Sequence, residues 1–449
     1  MSRVTPSDGS TAARSHVPAL SRRRFLAGSA LGALGALALT GCGTGFALQG
    51  GGSGSAEGRL SFTLWAGDVE LAAFRALADE WTTTSGVPVV FNVVPFGELL
   101  TGIDAGLASD RAPDLFRVTY QDVGLYAAGG ALLDLTDRLP AGVADGFAEA
   151  FRRAVTHEDR LYGVPHHTDT SLVLFDVEAV TAAGLTPPTT MEDAWTWEEF
   201  TDAAGRLPTG PGQYAFAVNW QQAGAYRWLN WVAQAGGRLL DQQLTGPALP
   251  SPETRAALGL TRSFFRDGLV PPTTSTKGSY ADELFTNSTV GMVFAGDFLL
   301  PTLDPLMAEQ GRAYGATFLP RAEQAAADLG GNAVVATATS VNAEAAADFL
   351  AFLGGDEAQA RFCQDAVVLP TRTALVERGL DYPLRPDLME LFVQQATAIT
   401  PELVEQVTVP QFNAVNTALV DRLEQAFLGG DDPAGVLDAL AADIEGRLS

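Results

Sequence analysis

Flat aromatic rings and carboxylates recur side by side along this chain. Trp65 stands just ahead of Asp68, Trp220 and Tyr226 fall in the Asn219–Trp231 cluster, Asp297 precedes Phe298, and Asn332 follows Gly330-Gly331. Rings stack on apolar C–H faces, while carboxylates and amides take hydroxyl groups in hydrogen bonds. A sugar needs both. Trp65, Trp220 and Tyr226 are the expected platforms, Asp297 is an expected hydroxyl acceptor, and Asn332 presents an amide or merely turns the chain. Asp68 either reaches the same ligand or caps the helix that follows it.

Other chemistries find little footing. His166-His167 next to Asp169 raises metal or acid–base work, but the expected role is two polar wall side chains. Asp68, Asp169 and Asp297 would need carboxyl separations of about 5–5.5 or 6.5–9.5 Å to act as a glycosidase pair, which spacing along the chain does not supply. No metal-ligand spacing, nucleophile elbow, P-loop or glycine fingerprint after a strand is present. No catalytic residue, metal or cofactor is expected.

Hydrophobic periodicity supplies the elements that would position these residues. Strands are predicted at 60–65, 87–94, 114–118, 172–175, 289–294, 314–319 and 333–338, with helices at 70–82, 97–108, 120–128 and 226–235 between them. Thr196 and Glu199 form a capping box at a helix start. Helices are predicted again at 343–353, 356–364, 386–398, 410–428 and 433–447. Strands alternating with helices imply an α/β fold with a mainly parallel sheet, which binds ligands beyond the carboxyl ends of its strands.

The amino terminus has a different character. Ser21-Arg22-Arg23 ahead of Phe25-Leu26 matches the twin-arginine export pattern. The apolar run from Phe25 to Leu39 is shorter than the roughly 18–20 residues that span a bilayer. Leu39-Thr40-Gly41-Cys42 then resembles a bacterial lipobox. Residues 1–41 are expected to be a signal peptide, with Cys42 the lipidated first residue and 42–58 a flexible tether. With Cys42 lipidated, Cys363 has no partner and is expected to be a buried small hydrophobe. The net charge of −25 becomes −29 once five arginines and Asp8 leave with the signal. Such a surface argues against nucleic acid and against docking on anionic lipid, so the membrane link would be covalent.

An ordered series of segments carries a family resemblance. It includes Trp65-Ala66-Gly67-Asp68, Ala112-Pro113-Asp114-Leu115, Leu161-Tyr162-Gly163-Val164-Pro165, Thr196-Trp197-Glu198-Glu199-Phe200, Gly291-Met292 with Gly296-Asp297-Phe298, and Tyr314-Gly315 to Leu319-Pro320. From Arg59 to Leu428 the chain resembles the extracellular solute-binding proteins of ABC importers, specifically the sugar-binding lipoproteins of the maltose-binding type. The resemblance implies a two-lobe periplasmic-binding-protein type II fold with the ligand in the interlobe cleft. Mapped here, lobe one is 58–165 with 298–340 and lobe two 166–297 with 341–449. Crossings are then expected near Pro165–Thr168, Gly296–Phe298 and Ala338–Val341. It also implies ligand contacts for Tyr226, Phe298, Phe412 and Asp169, and for the polar pair Tyr120 and Gln121.

The expected protein is a monomeric binding subunit anchored on the outer face of the membrane. It would close on a carbohydrate and hand it to ABC permease subunits. A polyamine or other small polar solute is the alternative ligand, and a secreted carbohydrate-active enzyme the alternative of a different class. One consequence is directly testable. Two or more acyl chains hold a protein stably on a bilayer where one does not. Cys42→Ala should therefore move the protein from the membrane fraction to the medium or leave it unprocessed. Retention of that variant on the membrane in processed form would contradict the anchor.

Overall fold

The computed structural model describes residues 54–430 and 432–448; the signal, Cys42 and most of the tether lie outside the described residues. Two sheets organise the chain. The first is built from β1 (Leu60–Leu64), α1 (Asp68–Ser85), β2 (Val89–Val93), α2 (Phe96–Ala108), β3 (Leu115–Thr119), α3 (Tyr120–Ala128) and β4 (Gly163–His167). The second draws on β5 (Ser171–Asp176), α4 (Trp197–Arg206), β6 (Tyr214–Ala217), α5 (Pro252–Arg266), β7 (Val290–Gly296) and β8 (Tyr314–Thr317). The chain then returns through β9 (Asn332–Ala336), α6 (Ala343–Leu353) and α7 (Asp356–Ala366), and ends in helices that include α8 (Pro386–Ala396) and α9 (Phe412–Leu428).

Strand order in the first sheet is β2-β1-β3-β9-β4, with β1 parallel to β2 and β3, and β9 antiparallel to β3 and β4. This register places Asn332 opposite both Thr119 and His167. The carboxyl ends of β1, β3 and β4 therefore share one edge with the start of β9. In the second sheet, β8-β5-β7-β6, Ser171 faces Gly296, so the start of β5 and the end of β7 also share an edge. Thr196 and Glu199 form the expected capping box at the start of α4.

The lobe boundaries differ from those expected. β8 pairs antiparallel with β5, Tyr314 opposite Asp176, so this strand belongs to the second sheet. Leu300, Leu303 and Met307 join the apolar cluster of that sheet, and Gly296–Phe298 is no crossing. Conversely, α6 and α7 pack on the first sheet: Phe349 meets Trp81 at 5.0 Å, and Phe362 meets Phe74 at 4.6 Å. The chain thus does not cross at Ala338–Val341 either. Periodicity reports that a segment is a strand or helix, not which sheet receives it.

The chain passes between sheets at 168–170, at 318–331, and after α7 toward α8, which packs on β5 and β8. These passages touch. Thr168 and Leu369 exchange backbone hydrogen bonds at 2.9 and 3.1 Å, Gly330 N–H donates to Asp169 O at 3.1 Å, and the Thr168 hydroxyl donates to Gly330 O at 3.0 Å.

At the opposite edge of the first sheet, buried Asp114 gathers the start of the fold. It accepts hydrogen bonds from the Ser55 and Ser340 hydroxyls, from the Ser61 N–H and hydroxyl at 2.8 and 2.7 Å, and from the Asn342 amide at 3.0 Å. Burial pushes its carboxyl up, but the donors from Ser340, Ser55 and Ser61 outweigh it and hold the group below its ordinary range.

Gly331 is where the crossings approach most closely. Its φ is +91°, and a Cβ there would lie 2.5 Å from both His167 O and the Thr168 Cα. Gly331→Ala meets backbone strain and a backbone clash together, at about 1–3 kcal/mol for strain alone. Urea unfolding should show a loss of at least that size; an unchanged midpoint would remove the close approach from this account.

Candidate functional site

A cavity of about 760 Å³ opens between the edges described above. From the first sheet come Trp65, Arg117, Gln121, His167 and Asn332; from the second side come Asp169, Asn219, Tyr226, Arg227 and Phe298. Each side offers an aromatic ring with a guanidinium held against it. The Arg117 carbon lies 4.7 Å from the Trp65 ring centre, and the Arg227 carbon lies 4.9 Å from that of Tyr226.

Both arginines are neutralised by carboxylates. Arg117 donates to Glu70 at 2.6 and 3.3 Å and to the Trp65 carbonyl at 2.7 Å. Glu70 also accepts from Gly67 N–H at 3.3 Å, so one carboxylate ties the first turn of α1 to the middle of β3. Burial acts to raise the Glu70 carboxyl, and the Arg117 charge and hydrogen bond more than reverse it. The Asn332 side-chain oxygen, with its amide turned to match its neighbours, accepts from Arg117 at 3.0 Å. On the other side, Arg227 Nε donates to Asp328 at 2.9 Å. Asp328 also accepts from the Ser171 hydroxyl at 3.2 Å and the Asn230 amide at 3.0 Å.

Asp169 sits between these groups, 3.9 Å from the Arg227 guanidinium. Burial drives its carboxyl up to about 6; Arg227 and, less strongly, Arg117 pull it down, while Asp328 adds to the rise. Its Oδ1 has no hydrogen-bond partner. Gly330 packs so closely that a Cβ there would lie 1.9 Å from this oxygen.

Eight of the eleven residues expected at the site line the cavity: Trp65, Asp68, Gln121, Asp169, Tyr226, Phe298, Asn332 and Phe412. Asp68 occupies the first helical position of α1, with Gly67 as the cap. Phe412 is 1% exposed and serves core and cavity wall together. Three do not line it. Trp220 is fully buried, stacked on Phe427 at 5.0 Å, its indole donating to Thr274 O at 2.6 Å. Tyr120, the first residue of α3, points inward and donates to His167 O at 2.8 Å, whereas Gln121 beside it lines the cavity and donates to Leu329 O at 2.8 Å. Asp297 is buried beside the crossing and accepts from Thr170 N–H at 3.1 Å.

The two histidines also part. His167 lines the cavity, whereas His166 stacks on Phe74 at 4.8 Å and meets Phe362 at 4.0 Å. Burial, then the neighbouring positive groups, pushes both imidazoles well down, so both stand neutral. Among the described residues no group of three or more His, Cys, Asp or Glu side chains is placed to hold a metal, and no helix is long and apolar enough to cross a membrane.

Sequence reasoning missed Arg117, Glu70 and Arg227. Arg117 had a signal: a charge inside the otherwise apolar Leu115–Val118 run must find a buried partner. Phe96 and Tyr280, half exposed at the cavity mouth, had none.

A model of bacterial extracellular solute-binding proteins matches residues 66–360. The chain is 31% identical over 186 residues to an uncharacterized lipoprotein in the oleD 5′ region of Streptomyces antibioticus, covering 40% of each. It is 25% identical to a maltotriose-binding protein of Pyrococcus abyssi, over 41% of this chain and 38% of that one. These two matches span about two fifths of the relatives' length. A lactose-binding protein of Rhizobium radiobacter is 24% identical over 65% of this chain and 69% of its own. Among solved structures, an ABC transporter solute-binding protein of Thermotoga lettingae bound with α-D-tagatose superposes with TM-score 0.74 at 20% identity, over 87% of this chain and all of the other. Thermus thermophilus maltotriose-binding protein gives 0.69 at 20% identity, over 86% and 99%. At such identity the likeness bears on the fold, a two-lobe α/β architecture of the maltose-binding type.

Asp169 makes stability depend on pH in a defined direction. Its folded carboxyl sits near 6, above the ordinary 3.8. The folded state therefore holds the proton more tightly, and stability is lost as pH climbs between those values. Asp169→Asn removes the titration. The unfolding free energy of the variant relative to the parent should rise from pH 4 to pH 7, by up to about 3 kcal/mol. A constant difference across that range would contradict the buried, ionising carboxyl.

Proposed function

This chain belongs to the bacterial extracellular solute-binding proteins, and from that premise we propose that it is the carbohydrate-binding subunit of an ABC importer. A sugar or short oligosaccharide lies in the cavity, with Trp65 and Tyr226 against its apolar faces and Asp169, Gln121, Asn332 and Asn219 at its hydroxyls. The observation that carries this reading is the pair of rings, one from each side of the cavity, each with an arginine held against it. Relatives named for maltotriose and lactose support it, and a cavity of about 760 Å³ suits a small solute.

Lobe one is then the first sheet with α1, α2, α6 and α7, and lobe two the second sheet with α4, α5 and α8. A ligand touching both favours the closed arrangement by its differential affinity. Lipid on Cys42 keeps the protein beside the permease subunits that receive the solute, and no residue is assigned a catalytic role.

Calorimetric titration of the full chain over mono- to oligosaccharides, maltotriose and lactose included, tests this. Trp65→Ala and Tyr226→Ala should each weaken the best ligand about tenfold or more, by losing contact area and preorganised shape. Trp220→Ala should instead cost about 3–5 kcal/mol of stability, as a core deletion does, and leave affinity nearly untouched. Binding of no carbohydrate, or affinity that ignores both rings, would overturn the proposal.

A further inference from the structure

The cavity holds more negative charge and more acceptors than the protein itself satisfies. Both of its arginines are already matched, Arg117 by Glu70 and Arg227 by Asp328. Three further carboxylates at its wall, Asp68, Asp282 and Glu283, have no basic partner among the described residues. Asp122 is held only by neutral donors, the Thr119 hydroxyl and the Asn413 amide.

Hydrogen bonding is lopsided in the same sense. Asp169 Oδ1, Gln221 Oε1 and Asn416 Oδ1 belong to residues lining the cavity, and all three lack a donor. Asp169 and Gln221 are 6% and 1% exposed. The amides cannot turn to relieve this. Gln221 Nε2 donates to Val218 O at 2.6 Å and Thr274 O at 2.8 Å, and Asn416 Nδ2 donates to Ala223 O at 3.1 Å. Arg117 Nε is the one unpaired buried donor on the cavity lining among the described residues.

We propose that the solute is an amino sugar, a glycoside carrying a protonated amine. This deepens the carbohydrate reading and rests on it. An ammonium group brings three N–H donors, no acceptor and a positive charge, the complement of what the cavity lacks. A neutral sugar brings donors and acceptors alike and leaves the carboxylates unmatched. A linear polyamine brings charge but no ring face for Trp65 and Tyr226. The acidic surface of the whole chain, at −25 overall, draws cations toward the same mouth.

The test is calorimetric titration of the full chain with a glucosamine disaccharide and its N-acetylated counterpart, which share their rings and differ in charge. Spermidine and maltotriose complete the set. At about 20 mM salt the free amine should bind about tenfold tighter than the N-acetyl form, and the margin should shrink at about 500 mM. Asp282→Asn combined with Glu283→Gln should reduce the margin as well. Equal or weaker binding of the amine, with maltotriose or the N-acetyl sugar bound, overturns the amine preference and leaves carbohydrate binding standing. Spermidine binding while no sugar does, or no binding at all, overturns both.

Discussion

The site depends on one constraint: three strands of chain must pass side by side through the narrow neck between two sheets. Thr168, Gly330 and Leu369 meet there in backbone hydrogen bonds, and glycine at 330 and 331 is what lets them come so near. Each buried polar group at such a crossing must find a partner or stay unmet. Most find one. Asp169 Oδ1 and Asp297 Oδ2 do not, and both carboxyls are pushed up by burial first, Asp169 then by Asp328 and Asp297 then by Asp169. Two unmet carboxylate oxygens therefore sit at the neck, and Asp169 also lines the cavity.

Above the neck, each wall repeats one arrangement: a ring, a guanidinium stacked on it, and a carboxylate fixing the guanidinium. Both guanidiniums line the cavity with their rings, and the carboxylates compensate their charge. Pairs this well buried gain little net stability, because desolvation offsets attraction. Their worth lies in orientation. Arg117 holds the Trp65 backbone as well as its ring, so the platform is set before a ligand arrives and less ordering remains to be done on binding.

Local structure was largely legible in the sequence. The helices at 120–128 and 343–353 fall where periodicity put them, and the Thr196–Glu199 cap forms as its spacing implies. Trp65 reads as a strand end, and it lines the cavity just past β1. What escaped is what depends on partners far along the chain. The 314–317 strand reads the same whether it joins one sheet or the other, and its hydrogen bonds to Ser171–Asp176 decide the matter. Trp220 and Tyr226 look alike in sequence, yet Phe427, some two hundred residues on, claims one ring for the core and leaves the other to the cavity. Asp328 carried no local sign of the arginine it would hold.

The knot around Asp114 has a mechanical meaning. It binds the first residues of the folded part, through Ser55, to β1, β3 and the 340–342 turn. β3 separates it from the cavity edge by about 16 Å at the usual rise per residue. That cluster lies on the sheet that α6 and α7 brace, with the whole of β3 between it and the neck. The first sheet is thus the half to which Ser55 is tied, at the end of β3 remote from the cavity.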